Sequence, residues 1–189
     1  MQTYSGHPIT KAALQLTPYV MLRAENLVQL KWEYIDFEKK LITIPRILMK
    51  VKDINLDAFK LPLTPKAIEI LEEVHHYTKD TEWVFHAINR RSSPLNSATI
   101  NKAIRVNLGY DSEENGTKQT IHSFRGTFSS LAYQYRHEHK QYEVSIERVL
   151  DHQEKNETVA SYNHKADYTN SMRELLEWWE QFLQRCMNG

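Results

Sequence analysis

Cysteine occurs once, as Cys186. A single thiol excludes an internal disulfide framework and a cysteine-based zinc site, and such sparing use fits a reducing cytosol. Glycine and proline are scarce too, at five and six residues. That is too few for a long linker, and no repeat or low-complexity tract is present. No run approaches the ~18 apolar residues of a membrane span. The first residues lack the basic-then-apolar pattern of a secretory signal. Net charge is missing as well, because 24 Lys plus Arg balance 24 Asp plus Glu. Taken alone, neutrality argues against a nucleic-acid partner, since such domains are usually basic, but it does not say where the charges lie. What is present is a globular composition, 41% hydrophobic and 25% charged over 189 residues. Such a chain buries about 70% of its unfolded surface. It reads as one soluble, cytoplasmic domain over residues 1–189, with no membrane partner.

Periodicity gives a mostly helical order. Ala12 to Leu22 reads as a helix opening near Thr10, and a second is expected from Ala24 to Tyr34, where Leu27, Leu30 and Ile35 keep helical spacing. Leu41 to Pro45 and Ala58 to Leu63 read as the two strands of a hairpin, joined by a polar connection from Arg46 to Asp57. Thr64 and Pro65 open a helix to about His76. Trp83 to Phe85 is a short buried strand or turn, and a further helix runs from Ser97 to about Asn107. Gly109 to Lys118 is a polar loop. Helices follow from Ser123 to Arg136, Val144 to Leu150 and Tyr168 to Met187. The last carries an apolar stripe of Met172, Leu175, Leu176, Trp179, Phe182 and Leu183. The class is α+β, mainly α-helical, with one small hairpin or sheet near the front.

Four places carry chemistry through their order. Arg23 opens the second helix, ahead of Leu30-Lys31-Trp32. Lys50 lies in the hairpin connection, with Lys52 and Lys60 as rivals nearby. His122 and Arg125 are three apart on one helical face. His152 follows Leu150-Asp151, and Tyr162 comes ten residues later in Ala160-Ser161-Tyr162-Asn163. This order resembles the catalytic domain of the tyrosine recombinase (phage integrase) family, of the prophage type. Leu30 to Asp36 resembles its LxWxxID segment, Thr43-Ile44-Pro45 with Met49-Lys50 its TIP…MK hairpin, and Ala160 to Asn163 with Trp178-Trp179 its AAYN…WW ending. The likeness covers about residues 10 to 185.

The resemblance implies an enzyme of site-specific DNA recombination and integration. Tyr162 would attack a strand to give a 3′-phosphotyrosine. Arg23 and Arg125 would clamp the scissile phosphate, and His122 would exchange a proton with Tyr162. Lys50 would act as general acid at the leaving 5′-oxygen, and His152 would hydrogen-bond the phosphate. The residue types suit the task. Guanidiniums stay charged and bind phosphate oxygens bidentately, a phenol of pKa about 10 needs help to attack, and a lysine ammonium delivers a proton. No cofactor or metal is implied. The implied partners are a double-stranded DNA attachment site, a homotetramer on DNA, and directionality or DNA-bending factors. The alternatives are a catalytically inactive DNA-binding fragment and a type IB topoisomerase-like activity. A metal-dependent nuclease would be told apart by its sensitivity to chelator.

Three departures from the family stand out. Asn26 occupies a position that is usually acidic, with Glu25 one residue early. Asp151 stands where a small residue usually precedes the histidine, beside the expected phosphate pocket. The N-terminal helical domain that closes round the other side of DNA is not in this chain. His75-His76 and His137-Glu138-His139 have spacings that suit a solvated surface better than a metal site. The terminal stripe reads as core first, although the family adds docking on a neighbouring protomer. Charge is segregated: Lys39 to Lys52 and Trp83 to Tyr110 contain no acid, whereas Glu138 to Glu180 carries ten acids against five bases. Basic segments of this kind are expected to face phosphates.

Overall fold

The computed structural model describes residues 4–111, 116–152 and 167–188. Its centre is α1, Pro8–Val20, whose Ile9, Ala13, Leu14, Leu16 and Val20 are all buried. A helix apolar nearly all round belongs inside, and α1 packs against α3, Pro65–Thr78, among others. The helix opens at Pro8 rather than near Thr10: His7 is the N-cap, its Nδ1 accepting from the Ile9 N–H at 3.3 Å. Thr10 instead sits buried in the first turn. Thr64 caps α3 as the sequence predicts, its hydroxyl accepting from the Ala67 N–H.

The predicted second helix is cut short. α2 spans only Ala24–Val28, and the chain then runs extended at Lys31, which bridges to Trp83. Leu30 accepts from the Val84 N–H at 2.9 Å and the Trp32 N–H donates to Glu82 O at 3.0 Å. A 3₁₀ turn, Trp32–Tyr34, leads into β1, Ile35–Asp36. β1 pairs antiparallel with β2, Leu41–Ile44, which pairs with β3, Phe59–Pro62, so the expected hairpin is a three-stranded sheet. The register sets Ile42 opposite Leu61 and Ile44 opposite Phe59. All four point into the core, while Lys60 is exposed, the two-residue alternation of a half-buried sheet.

A second hairpin, β4 (His86–Ala87) and β5 (Arg90–Pro94), follows. The helix α4, Ser97–Lys102, ends in a π-helical turn, Ala103–Asn107. α5 is Ile121–Gln134, two residues earlier at its start than the periodicity suggests. Short helices α6 (Arg136–His139) and α7 (Glu143–Val149) lead to α8, Thr169–Asn188.

The stripe on α8 lies on this chain's own core: Met172, Leu175, Leu176 and Trp179 are buried, with Phe182 and Leu183 half-buried beside them. Two polar contacts lock the helix in place. Trp179 Nε1 donates to the Pro18 carbonyl at 2.8 Å, an acceptor in the last turn of α1 that has no partner within its own helix. Glu180, buried, accepts from the Lys66 N–H at 3.0 Å. A carboxylate there satisfies an orphan donor of α3 and meets the positive end of its dipole. No helix among the described residues is long and apolar enough to cross a membrane.

Candidate active site

The site forms where two helix ends meet. α1 ends at Met21, in the left-handed region at φ 46°, and Arg23 follows as N-cap of α2. α7 ends in a Schellman motif: the His152 N–H donates to Glu147 O at 2.9 Å and the Asp151 N–H to Arg148 O at 3.1 Å. That motif requires a left-handed residue between, and Asp151 supplies it at φ 52°. Glycine suits this position best, which gives the small residue expected before the histidine a conformational reason. Aspartate is among the side chains that tolerate it.

Arg125 joins the two ends. It is 6% exposed and donates from Nη1 to Met21 O and from Nη2 to Leu150 O, the latter at 2.7 Å. The carbonyls it holds belong to residues just before Arg23 and Asp151. Burial above all, then the neighbouring Arg23 charge, push its pKa down to about 10, against the pull of Asp151. It therefore stays protonated at neutral pH. Two of its five N–H donors are used on these carbonyls.

Asp151 does not point away from the arginines. Its Oδ2 accepts from Arg23 Nη1 at 3.0 Å and its Oδ1 from Arg46 Nη1 at 2.7 Å, with 3% of its side chain exposed. Two guanidiniums thus hold one carboxylate, whose charge also reaches Arg125, and these three arginines outnumber the acid. Arg46 is a residue that the motif reading missed; the acid-free run from Lys39 to Lys52 was the available signal. It begins a 3₁₀ turn, Arg46–Leu48, and its Nε also donates to Asp57 O at 3.0 Å.

That turn is pinned from the other side by Asn26, whose amide donates to Leu48 O at 2.9 Å. An amide can donate to a carbonyl where an ionised carboxylate cannot, so the departure at this position has a local role. Glu25 faces elsewhere, accepting from Ser97 Oγ at 2.7 Å. Lys50 lies just beyond the pinned turn, exposed, next to the buried Met49 that anchors the connection.

His122 and Arg125 divide their shared face by depth. Arg125 is the buried floor, and His122 is exposed in the first turn of α5. That turn is fixed by the Thr120 N–H donating to Ser123 Oγ at 3.1 Å and the Ile121 N–H to Asn101 Oδ1 at 3.0 Å. His152 is also exposed, its Nδ1 2.7 Å from Glu147 Oε2. Tyr162 lies outside the described residues.

Among the described residues, no group of three or more His, Cys, Asp or Glu is placed to hold a metal. His139 is structural: its Nε2 lies 2.8 Å from Ala132 O and its Nδ1 accepts from the Gln141 N–H at 3.0 Å. A carbonyl only accepts, so Nε2 carries the hydrogen. His75 packs edge-on against Trp32. Exposed basic side chains extend beyond the site at Lys52, Arg90, Lys102 and Arg105. Others are paired, Lys39 with Asp36 at 2.7 Å and Arg91 with Asp80.

Comparison with known proteins agrees with this architecture. The chain is 30% identical over 184 residues to the integrase of Shigella phage Sf6, covering 97% of this chain and 44% of that protein. It is 29% identical to prophage integrase IntS of Escherichia coli (strain K12), with the same coverages. It therefore spans under half the length of these relatives. The fold matches the integrase from mycobacterium phage Brujita with a TM-score of 0.64 at 16% identity, over 93% of this chain and 53% of that one. XerA recombinase matches at 0.59 and 17% identity, over 92% and 57%. The phage integrase family model matches residues 2–168, and the chain belongs to that family.

Proposed function

We propose that this chain is the catalytic unit of a site-specific DNA recombinase of prophage type. It would cut and rejoin one strand at a time at an attachment site. The observation that supports this best is Arg125 holding the Arg23 turn and the Asp151–His152 turn together by their carbonyls. A phosphodiester bound there meets fixed cationic donors, which stabilise the charge that develops at phosphorus. In the reaction the phenol oxygen of Tyr162 attacks phosphorus, giving its proton to His122. The bond from phosphorus to the 5′-oxygen breaks as Lys50 protonates that oxygen. The product is a 3′-phosphotyrosine and a free 5′-hydroxyl, and the reverse steps with another strand's 5′-hydroxyl rejoin the DNA. Arg23 and the remaining donors of Arg125 bind the non-bridging oxygens, with His152 as a further donor. Each proton transfer is worth roughly 10²–10⁴-fold in rate.

The same reading extends to the whole protein. The chain is a single catalytic unit that works beside a separate DNA-gripping domain, in the cytoplasm, as a homotetramer assembled on DNA. Directionality or DNA-bending factors complete that assembly. A solved relative of the fold is the Tn1549 transposon integrase in complex with circular intermediate DNA, which supports duplex DNA as the substrate.

The test is a duplex carrying a nick just downstream of the cleavage position, so that the cut becomes irreversible. The protein becomes covalently attached to the 3′ end, the attachment survives EDTA, and Tyr162→Phe abolishes it. Attachment by Tyr162→Phe moves the nucleophile elsewhere, with Tyr168 next in line. No attachment by the full-length protein overturns the enzymatic reading.

A further inference from the structure

One residue holds His152 by both its backbone and its ring. The Glu147 carbonyl accepts the His152 N–H in the Schellman turn at 2.9 Å. Its carboxylate Oε2 lies 2.7 Å from His152 Nδ1. The other carboxylate oxygen, Oε1, accepts from Tyr133 Oη at 2.8 Å. Tyr133 stands near the end of α5, the helix that also carries His122 and Arg125. Its pKa is pushed up to about 12, by burial first and then by the bond to Glu147, so it remains a phenol and a donor at neutral pH. The three side chains form a line, Tyr133–Glu147–His152, leading from the end of α5 to the rim of the candidate site.

We propose that Glu147, steadied by Tyr133, is a positioning residue that fixes the tautomer and orientation of His152 for the phosphate. The inference rests on the reading of His152 as a phosphate donor. An ionised carboxylate only accepts, so Nδ1 must carry the hydrogen of the 2.7 Å contact. The hydrogen bond made by one ring nitrogen decides the state of the other. Nε2 is then the nitrogen presented away from Glu147. A phosphate oxygen also only accepts, so the ring that reaches it carries a hydrogen on both nitrogens, and Glu147 balances that charge. Without Glu147, an imidazole nearly half exposed to water would rotate, and either nitrogen would face the DNA. Tyr133 contributes by occupying Oε1, so that Oε2 is the oxygen directed at the ring.

The experiment combines nitrogen-resolved NMR of the His152 ring, in this chain without DNA, with the rate of covalent attachment to the nicked duplex by the full-length protein. In the wild type the ring carries its hydrogen on Nδ1. Glu147→Gln keeps an acceptor and retains that signature, whereas Glu147→Ala moves the hydrogen to Nε2, the form preferred by solvated imidazole. Glu147→Ala slows attachment about 10- to 100-fold, as expected for loss of a charge-assisted hydrogen bond. Glu147→Gln recovers most of that rate, and Tyr133→Phe costs only a few-fold. Because Glu147 acts through His152, Glu147→Ala with His152→Ala is no slower than His152→Ala alone. A ring signature unchanged in Glu147→Ala, or losses that multiply in the double variant, overturns the proposal. If the tautomer follows Glu147 but His152→Ala attaches at the wild-type rate, the catalytic reading of His152 falls instead and the orientation stands.

Discussion

Replacing Asp151 with asparagine should move stability and DNA affinity in opposite directions. Asparagine keeps the shape of the side chain and is at home in the left-handed conformation at φ 52°, so the α7 turn survives. The charge does not. Two contacts at 3.0 and 2.7 Å lose their ionic character, and Arg23, Arg46 and Arg125 lose their shared counter-charge. Hydrogen bonds to charged groups contribute ~1.5–3 kcal/mol each. Arg23 and Arg46 have 24% and 13% of their side chains exposed and recover part of that from water. The net loss comes to about 2–3 kcal/mol, or a fall in Tm of roughly 5–10 °C for a chain of this size. The DNA side has the opposite sign. On the proposed reading of Arg23 as a phosphate clamp, a phosphate displaces the Asp151 carboxylate from it in the wild type, and in the variant that exchange disappears. Duplex affinity at low salt then rises about tenfold, equivalent to ~1.4 kcal/mol. Thermal melting followed by circular dichroism and fluorescence anisotropy on labelled duplex read the two quantities from one preparation. A folded Asp151→Asn that binds duplex more weakly refutes the reasoning, because Asp151 would then be helping the site rather than competing for its arginines. An unchanged Tm would show that the buried pairs contribute nothing net.

Arg125→Lys keeps a positive charge but cannot bridge the Met21 and Leu150 carbonyls, so covalent attachment falls at least 100-fold, and quantifying adduct on the nicked duplex checks it. Trp179→Phe keeps the ring and removes the bond to Pro18 O, which lowers stability by about 1 kcal/mol and Tm by roughly 2–4 °C; thermal melting decides. The raised pKa of Tyr133, about 12 against 10, means that above pH 10 the unfolded state releases a proton the native state retains. Stability is then fully present below pH 10 and declines between 10 and 12, and alkaline denaturation curves should be flatter in that window for Tyr133→Phe. If the domain makes about four phosphate contacts, its affinity falls roughly 10²-fold between 50 and 200 mM salt, and a salt-independent affinity excludes phosphate contacts as its source.

The parts of the fold visible in the sequence were those decided locally. Thr64-Pro65 announced α3, the β-branched run Leu41 to Ile44 announced β2, and the stripe from Met172 to Leu183 announced α8. Where distant segments decide, local periodicity misled. Leu27, Leu30 and Ile35 have helical spacing, yet the backbone around Lys31 is extended because residues 82–84, about fifty positions later, offer it hydrogen bonds. β5 was hidden because Arg90-Arg91-Ser92-Ser93-Pro94 is neither apolar nor alternating. For the candidate site, the sequence offers the types and order of Arg23, Lys50, His122, Arg125 and His152 as a proposal. Depth was not, for nothing in His-x-x-Arg says that the arginine is the floor and the histidine the rim. Asp151 was visible as an irregularity, but its partner Arg46 lies 105 residues away, across a pairing that no spacing rule reports.

The bond from Trp179 to Pro18 also has a consequence in time. It joins residues 161 apart, and synthesis proceeds at roughly 5–20 residues per second, so the first helix waits about 10–30 s for the indole that closes its last turn. Met21 and Arg23 follow directly from that turn. A half-made chain therefore carries Arg23 before the bond that closes the turn ahead of it has a donor.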